Sequence, residues 1–112
     1  MSLKDQHCVE LKDGTPALDD ARIAALMPQL AGWTAEVPPA GGPRTLRKRY
    51  EFADFAGALA FVNKLAAVAE AEQHHPDFSV HYSRVDVSSW THTVGGLSEN
   101  DFILAAKLDS LF

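Results

Sequence analysis

Residues 54–76 constrain this chain more than any other stretch. Asp54 is placed to cap a helix, and Phe55, Ala58, Leu59, Val62, Leu65, Ala66 and Ala69 recur at helical spacing along one stripe. Alanine is abundant through the segment, which favours helix because it loses no side-chain entropy. Pro76 forbids continuation, since it has no N–H to donate and drives the residue before it out of the helical region. One long helix is predicted, and the rest of the chain must cover its apolar side.

The flanking segments read as strands in pairs. Trp33 to Val37 alternates apolar and polar, and Leu46, Lys48, Tyr50 and Phe52 share a face of a second strand, with Lys48 the exception to its apolar character. The run Pro38-Pro39-Ala40-Gly41-Gly42-Pro43 between them is a hairpin loop. After the helix, Phe78, Val80 and Tyr82 are predicted on one strand face, with Ser79 and His81 opposite. Ser83-Arg84 would make the turn and Val85 to Thr91 the fourth strand. Leu18-Asp19-Asp20 caps a short helix containing Ile23, Leu26 and Met27, stopped by Pro28 and Gly32. Ser98-Glu99-Asn100-Asp101 opens a final helix whose apolar side is Phe102, Ile103, Ala106 and residues 108–111. The order α-β-β-α-β-β-α predicts an α+β fold, a four-stranded antiparallel sheet with three helices packed on one face. The opposite sheet face is expected to be only partly covered, which leaves association through sheet faces or edges open.

A chain of 112 residues supports one modest core. The predicted organisation is a flexible N-terminal segment over residues 1–17 and a single domain over residues 18–112. A net charge of −5 argues against a direct nucleic-acid partner, because phosphate binding needs clustered cations. Arg44, Arg47, Lys48 and Arg49 do cluster, and are read as a solvated strand face. Cys8 is the only cysteine, which excludes an intramolecular disulfide and a cysteine-rich zinc site. No leader-like apolar region opens the chain, and no run approaches the ~18 apolar residues of a membrane span. A soluble, cytoplasmic protein without a membrane partner is expected.

Chemistry concentrates at the exit of the long helix, where Glu70-Ala71-Glu72-Gln73-His74-His75-Pro76 is followed by Thr91-His92. Imidazole titrates near ~6.5 and can give or take a proton at neutral pH. Residues four apart on a helix meet, so Glu70 is expected to pair with His74 and fix its tautomer or raise its pKa. His75 is turned by about 100° from His74 on an ideal helix. His92 joins them only if the fourth strand ends beside the helix exit. Plainer readings compete with each of these. Glu70–His74 could be an exposed pair worth tenths of a kcal/mol, His75 a partner of the helix dipole, and His92 a surface residue at a strand end. His7 and His81 are read as surface residues. A metal site is disfavoured, because adjacent histidines diverge and the His-x-x-x-His spacing is absent. Ser79, Ser88 and Ser89 lack the glycines of a nucleophile elbow, and Cys8 is remote in sequence from the histidines.

The ordered set Glu70-x-x-x-His74-His75-Pro76, Tyr82, Thr91-His92 and Asp101 resembles the signature of the pterin-4a-carbinolamine dehydratase family. The likeness runs from about Leu18 to the C-terminus and includes Gly32-Trp33, Phe61-Val62-Asn63 and Gly95-Gly96-Leu97-Ser98-Glu99. It implies the same α+β fold, and dehydration of a 4a-hydroxytetrahydropterin to the quinonoid dihydropterin in tetrahydrobiopterin recycling. It also implies a reaction without metal or organic cofactor, and a homodimer or homotetramer. By this resemblance His74 and His92 carry the proton transfers, His75 holds the pterin or assists, and Glu70 orients His74. Pro76, Thr91 and Asp101 complete the pterin-binding set, with Asp101 supporting it from the last helix, while Tyr82 packs. The order in which the imidazoles act is left open. Two positions depart from the family pattern: Gln73 stands where an acidic residue is common, and Asn100 where some members carry a basic one. The family also includes members credited with transcriptional coactivation and with assembly roles. The alternative is therefore a non-catalytic pterin-binding or protein-interaction module, to which the apolar residues 108–112 would lend surface.

Overall fold

The computed structural model describes residues 2–112. Asp19 caps helix α1 (Asp20–Leu26) by accepting the Arg22 N–H at 2.8 Å, and Pro28 falls in the 3₁₀ turn Met27–Gln29 that ends it. Strands β1 (Thr34–Glu36) and β2 (Thr45–Glu51) form the first antiparallel hairpin. Asp54 then caps α2 (Phe55–Glu72), accepting the Gly57 N–H at 2.7 Å. Strands β3 (Asp77–His81) and β4 (Arg84–Ser89) make the second hairpin, and α3 (Glu99–Asp109) closes the fold. The four strands lie in the order β1-β2-β4-β3, all antiparallel, which puts β2 and β4 in the centre. The predicted α+β architecture forms, with three helices against one sheet face.

Strand alternation divides the two faces. Leu46, Tyr50, Val85 and Val87 point inward and pack with Phe61 and Leu65 of α2 and Phe102, Leu104 and Leu108 of α3. Outward, Arg49 donates to Asp86 across the β2–β4 pair at 2.9 Å, with Arg84 and His81 nearby at 3.6 and 3.7 Å. Burial raises the Asp86 pKa, but Arg49, Arg84 and His81 outweigh it and hold the carboxyl below its ordinary value. Three of the four residues in the basic cluster are paired with carboxylates of the same chain. Arg44 pairs with Asp20 at 2.6 Å, Lys48 with Asp109 at 2.8 Å, and Arg49 with Asp86. Lys48 breaks the apolar pattern because its ammonium reaches Asp109 and the Ala31 carbonyl.

Three local expectations change. The buried line of α2 is Ala58, Phe61, Leu65 and Ala69, whereas Phe55 and Leu59 are exposed. The helix is apolar around much of its circumference, so contact with the sheet, not periodicity, selects the buried line. The second turn is Tyr82-Ser83, because His81 pairs with Arg84. Tyr82 therefore leaves the strand face, adopts a left-handed φ of 53°, and stands exposed over Phe55. Finally, β4 ends at Ser89, and Thr91 instead forms an isolated bridge with Gly96.

The N-terminal segment, expected to be loose, makes specific contacts. Leu3 is 5% exposed within a 3₁₀ turn that packs on α3. Val9 and Cys8 donate backbone N–H groups to Asn100 and Glu72. These anchors are single residues in a polar stretch, too sparse to form a periodic pattern.

Candidate active site

The two adjacent histidines are separated by the way α2 ends. Gln73 takes a left-handed conformation with φ 52°, its N–H bonds to the Glu70 carbonyl, and the His74 N–H reaches back to the Ala69 carbonyl. This is the paired pattern of a Schellman ending, here built on glutamine instead of glycine. The Gln73 side chain reinforces it by donating to the Glu70 carbonyl at 2.8 Å. The helix thus ends at Glu72, two residues before His74, and the expected Glu70–His74 pair does not form. Glu70 instead meets His75 at 2.8 Å, with both side chains more than half exposed. His74 turns inward to Asp101 of α3.

Asp101 is the centre of the arrangement. Its side chain is fully buried, and its Oδ1 receives the His74 Nε2–H at 2.7 Å and the Ser89 hydroxyl at 2.5 Å. Its Oδ2 receives the Thr91 hydroxyl at 2.8 Å and the Ser98 backbone N–H at 3.0 Å. Ser98 in turn donates its hydroxyl to Thr91 at 2.7 Å, since the Thr91 proton is committed to Asp101. Three other donors converge on this carboxylate, and an ionised carboxylate only accepts, so the nitrogen of His74 facing it is a donor as well. The proton of neutral His74 is therefore on Nε2, and Nδ1 is left as the acceptor. At 11% side-chain exposure, His74 keeps only a small opening to solvent.

His92 begins the 3₁₀ turn His92–Val94, which follows Thr91 and ends at Gly95 in a left-handed conformation. Its exposed ring lies on Trp90, with centroids 3.8 Å apart. Among the described residues no hydrogen bond or ion pair joins His92 to His74 or His75. What links the two histidine-bearing segments is Asp101, which holds His74 with one oxygen and Thr91, the neighbour of His92, with the other. Pro76 is buried directly after the histidine pair. Among the described residues no three His, Cys, Asp or Glu side chains come together in a way that could hold a metal ion.

Sequence reasoning missed Ser89 as part of this network and gave Asp101 only a supporting place. A signal for Ser89 was available. It continues the inward alternation Val85, Val87, Ser89, and a hydroxyl on an otherwise apolar face requires a buried partner.

Residues 16–111 match the family described as pterin 4 alpha carbinolamine dehydratase. The chain belongs to that family. A Xanthomonas campestris pv. campestris protein, provisionally named pterin-4-alpha-carbinolamine dehydratase, is 50% identical over 110 residues, covering 98% of this chain and 90% of the relative. A Xanthomonas axonopodis pv. citri protein with the same provisional name is also 50% identical with the same coverage. Among solved structures, a transcriptional coactivator/pterin dehydratase from Brucella melitensis superposes with a TM-score of 0.76 at 30% identity, over 84% of this chain and 96% of that one. A pterin dehydratase-like protein identified as a RuBisCO assembly factor in the alpha-carboxysome gives a TM-score of 0.60 at 28% identity, over 72% and 89%. The dehydratase family is one of hydro-lyases, and among the described residues no helix is long and apolar enough to cross a membrane.

Proposed function

We propose that this chain dehydrates a 4a-hydroxytetrahydropterin to the quinonoid dihydropterin, with histidines as general acid and base. The observation that carries the reading is the Asp101 carboxylate, which fixes His74 in one tautomer and anchors the Thr91-His92 segment. Loss of water from a carbinolamine needs a proton delivered to the departing hydroxyl and a proton removed from the adjacent ring nitrogen, whose electrons push the hydroxyl out. His74 presents a free Nδ1 suited to accepting a proton, because Asp101 accepts its Nε2–H and stabilises the imidazolium that forms. His92 is the second proton carrier, its ring held on Trp90. His75, tethered to Glu70 at the surface, holds the pterin or assists, and Pro76 and Thr91 shape the binding site. The natural role is recycling of tetrahydrobiopterin or a related pterin in the cytoplasm, by a homodimer or homotetramer.

The test is stopped-flow dehydration of a 4a-hydroxytetrahydropterin by the wild-type protein, beside His74→Ala and His92→Ala. Each variant should lose roughly 10²–10⁴-fold in rate, the range for a positioned acid or base. Wild-type turnover no faster than both variants would overturn the proposal. Tight pterin binding without acceleration would put a non-catalytic binding module in its place.

A further inference from the structure

The His74–Asp101 pair spans the end of one helix and the start of another, and neither helix fixes that distance by itself. Two buried polar side chains stand beside the pair on its far side. Glu72 lies in the last turn of α2, two residues before His74, and its side chain is 7% exposed. Asn100 precedes Asp101 in the first turn of α3 and is 6% exposed. Groups this deep are costly unless satisfied, and both turn to the same three consecutive residues. The Asn100 amide donates to the Val9 carbonyl at 2.7 Å and accepts the Val9 N–H at 3.0 Å. Glu72 accepts the Cys8 N–H at 2.7 Å through Oε1 and faces His7 Nδ1 at 2.8 Å through Oε2. Further along, Lys107 donates to the Lys4 carbonyl at 2.9 Å and stands 3.9 Å from Glu72, while Leu3 is buried in the core cluster.

We propose that the segment from Leu3 to Val9 is a strap that positions His74 against Asp101, acting through Glu72 and Asn100. The significance of this geometry for turnover rests on the reading of His74 as a reacting imidazole. The strap bridges the two helix ends at the level of the pair, using bonds to its own backbone at Cys8 and Val9. A cleft of about 590 Å³ is lined by Cys8, Val9, Glu10, Ala71, Glu72 and Gln73 beside these contacts. Leu3 and Cys8 anchor the strap on the core, and the hydrogen bonds at Cys8 and Val9 couple it to the two helix ends. Burial, with Glu72 next in effect, pushes the Cys8 thiol up to about 12, so at neutral pH this group is no nucleophile. Its Sγ lies 3.5 Å from the Asn100 carbonyl, where it packs. Residues 3–9 precede the residues 16–111 that match the family model, but lie within the 98% of this chain that the Xanthomonas relatives match.

Glu72 and Asn100 are positioning residues, and the test reads position directly. In the full-length protein labelled with ¹⁵N-histidine, the His74 ring nitrogens should report a single Nε2–H tautomer in the neutral form. Asn100→Leu and Glu72→Leu should each move those shifts toward averaged tautomers and lower kcat about tenfold or more, with KM changed less than about threefold. Glu72→Gln keeps an acceptor for the Cys8 N–H and should recover most of both effects. Val9→Pro removes the N–H given to Asn100, while also fixing φ at residue 9 and restricting Cys8, and reads the same coupling if Asn100→Leu fails to fold. Asp109→Asn, remote from the strap, controls for lost stability and should leave the His74 shifts in place. Folded variants with unchanged His74 shifts would overturn the proposal, as would loss of folding in every strap variant. The ring shifts decide this even if the wild-type protein proves not to dehydrate pterins.

Discussion

Helix α3 carries an aspartate near each end, and each gathers short hydrogen bonds from other parts of the fold. Asp109 receives the Trp33 indole N–H at 3.0 Å, the Lys48 ammonium at 2.8 Å and the Tyr50 hydroxyl at 2.5 Å. Asp101 receives His74, Ser89, Thr91 and the Ser98 backbone. The difference lies in what the donors can do next. Burial and then the bond to Asp109 push the Tyr50 pKa far above its ordinary value, so that hydroxyl keeps its proton. An indole N–H likewise has nothing to exchange near neutral pH. At Asp101 one donor is an imidazole, which has a second nitrogen on its far side able to accept a proton. A carboxylate surrounded by proton-keeping donors braces a fold, whereas one facing a histidine can also hold that imidazole in one tautomer.

The largest effect expected from this contrast is at Asp101. Asp101→Asn should lower the dehydration rate by about 10²-fold or more, because the amide no longer fixes the His74 tautomer or stabilises its charged form. It should also cost about 3 kcal/mol in urea denaturation, since it breaks a buried charged network. Asp109→Asn should cost about 1–2 kcal/mol by the same measurement, with kcat within about twofold of wild type. Comparable losses of kcat in both variants would erase the distinction between brace and site. A smaller effect sharpens it with pH, using carboxylates outside both clusters. Burial raises the Glu72 pKa, but the Cys8 N–H, His7 and Lys107 outweigh it and hold the carboxyl below its ordinary 4.5. A depressed folded value means the stabilisation is fully present above that ordinary value and is lost as the pH falls through the folded one. Asp86 behaves in the same direction. Acid titration followed by circular dichroism should show stability falling below about pH 4.5, with a shallower fall in Glu72→Gln.

Element order, helix caps and the inward strand faces were legible because they depend on near neighbours in sequence. Asp54 and Asp19 cap where expected, and the Ser98 to Asp101 segment closes on itself through the Ser98 N–H. The family signature also drew attention to His74, His75 and His92. The pairing among them was not legible, because it turns on one backbone dihedral. A helix continued through Gln73 would bring Glu70 to His74, whereas the left-handed Gln73 gives Glu70 to His75 and frees His74 for a residue 27 positions away. The Tyr82-Ser83 turn escaped for the same reason, since tyrosine is an unusual occupant of a left-handed position. The N-terminal contacts escaped because most of them use backbone groups, which any sequence would supply, and the side chains that join them, Leu3 and His7, are isolated in a polar stretch.

The Gln73 reversal also determines which kinds of genetic change the helix exit tolerates. Between the left-handed residue and buried Pro76 there is room for two residues, one turned toward α3 and one toward solvent. Exchanging either side chain alters chemistry at a place that keeps its shape. Inserting or deleting one residue there shifts the register, so that the inward place passes to a different side chain while every original residue is still present. The stretch is therefore intolerant of length variation in a way that no count of substitutions would reveal.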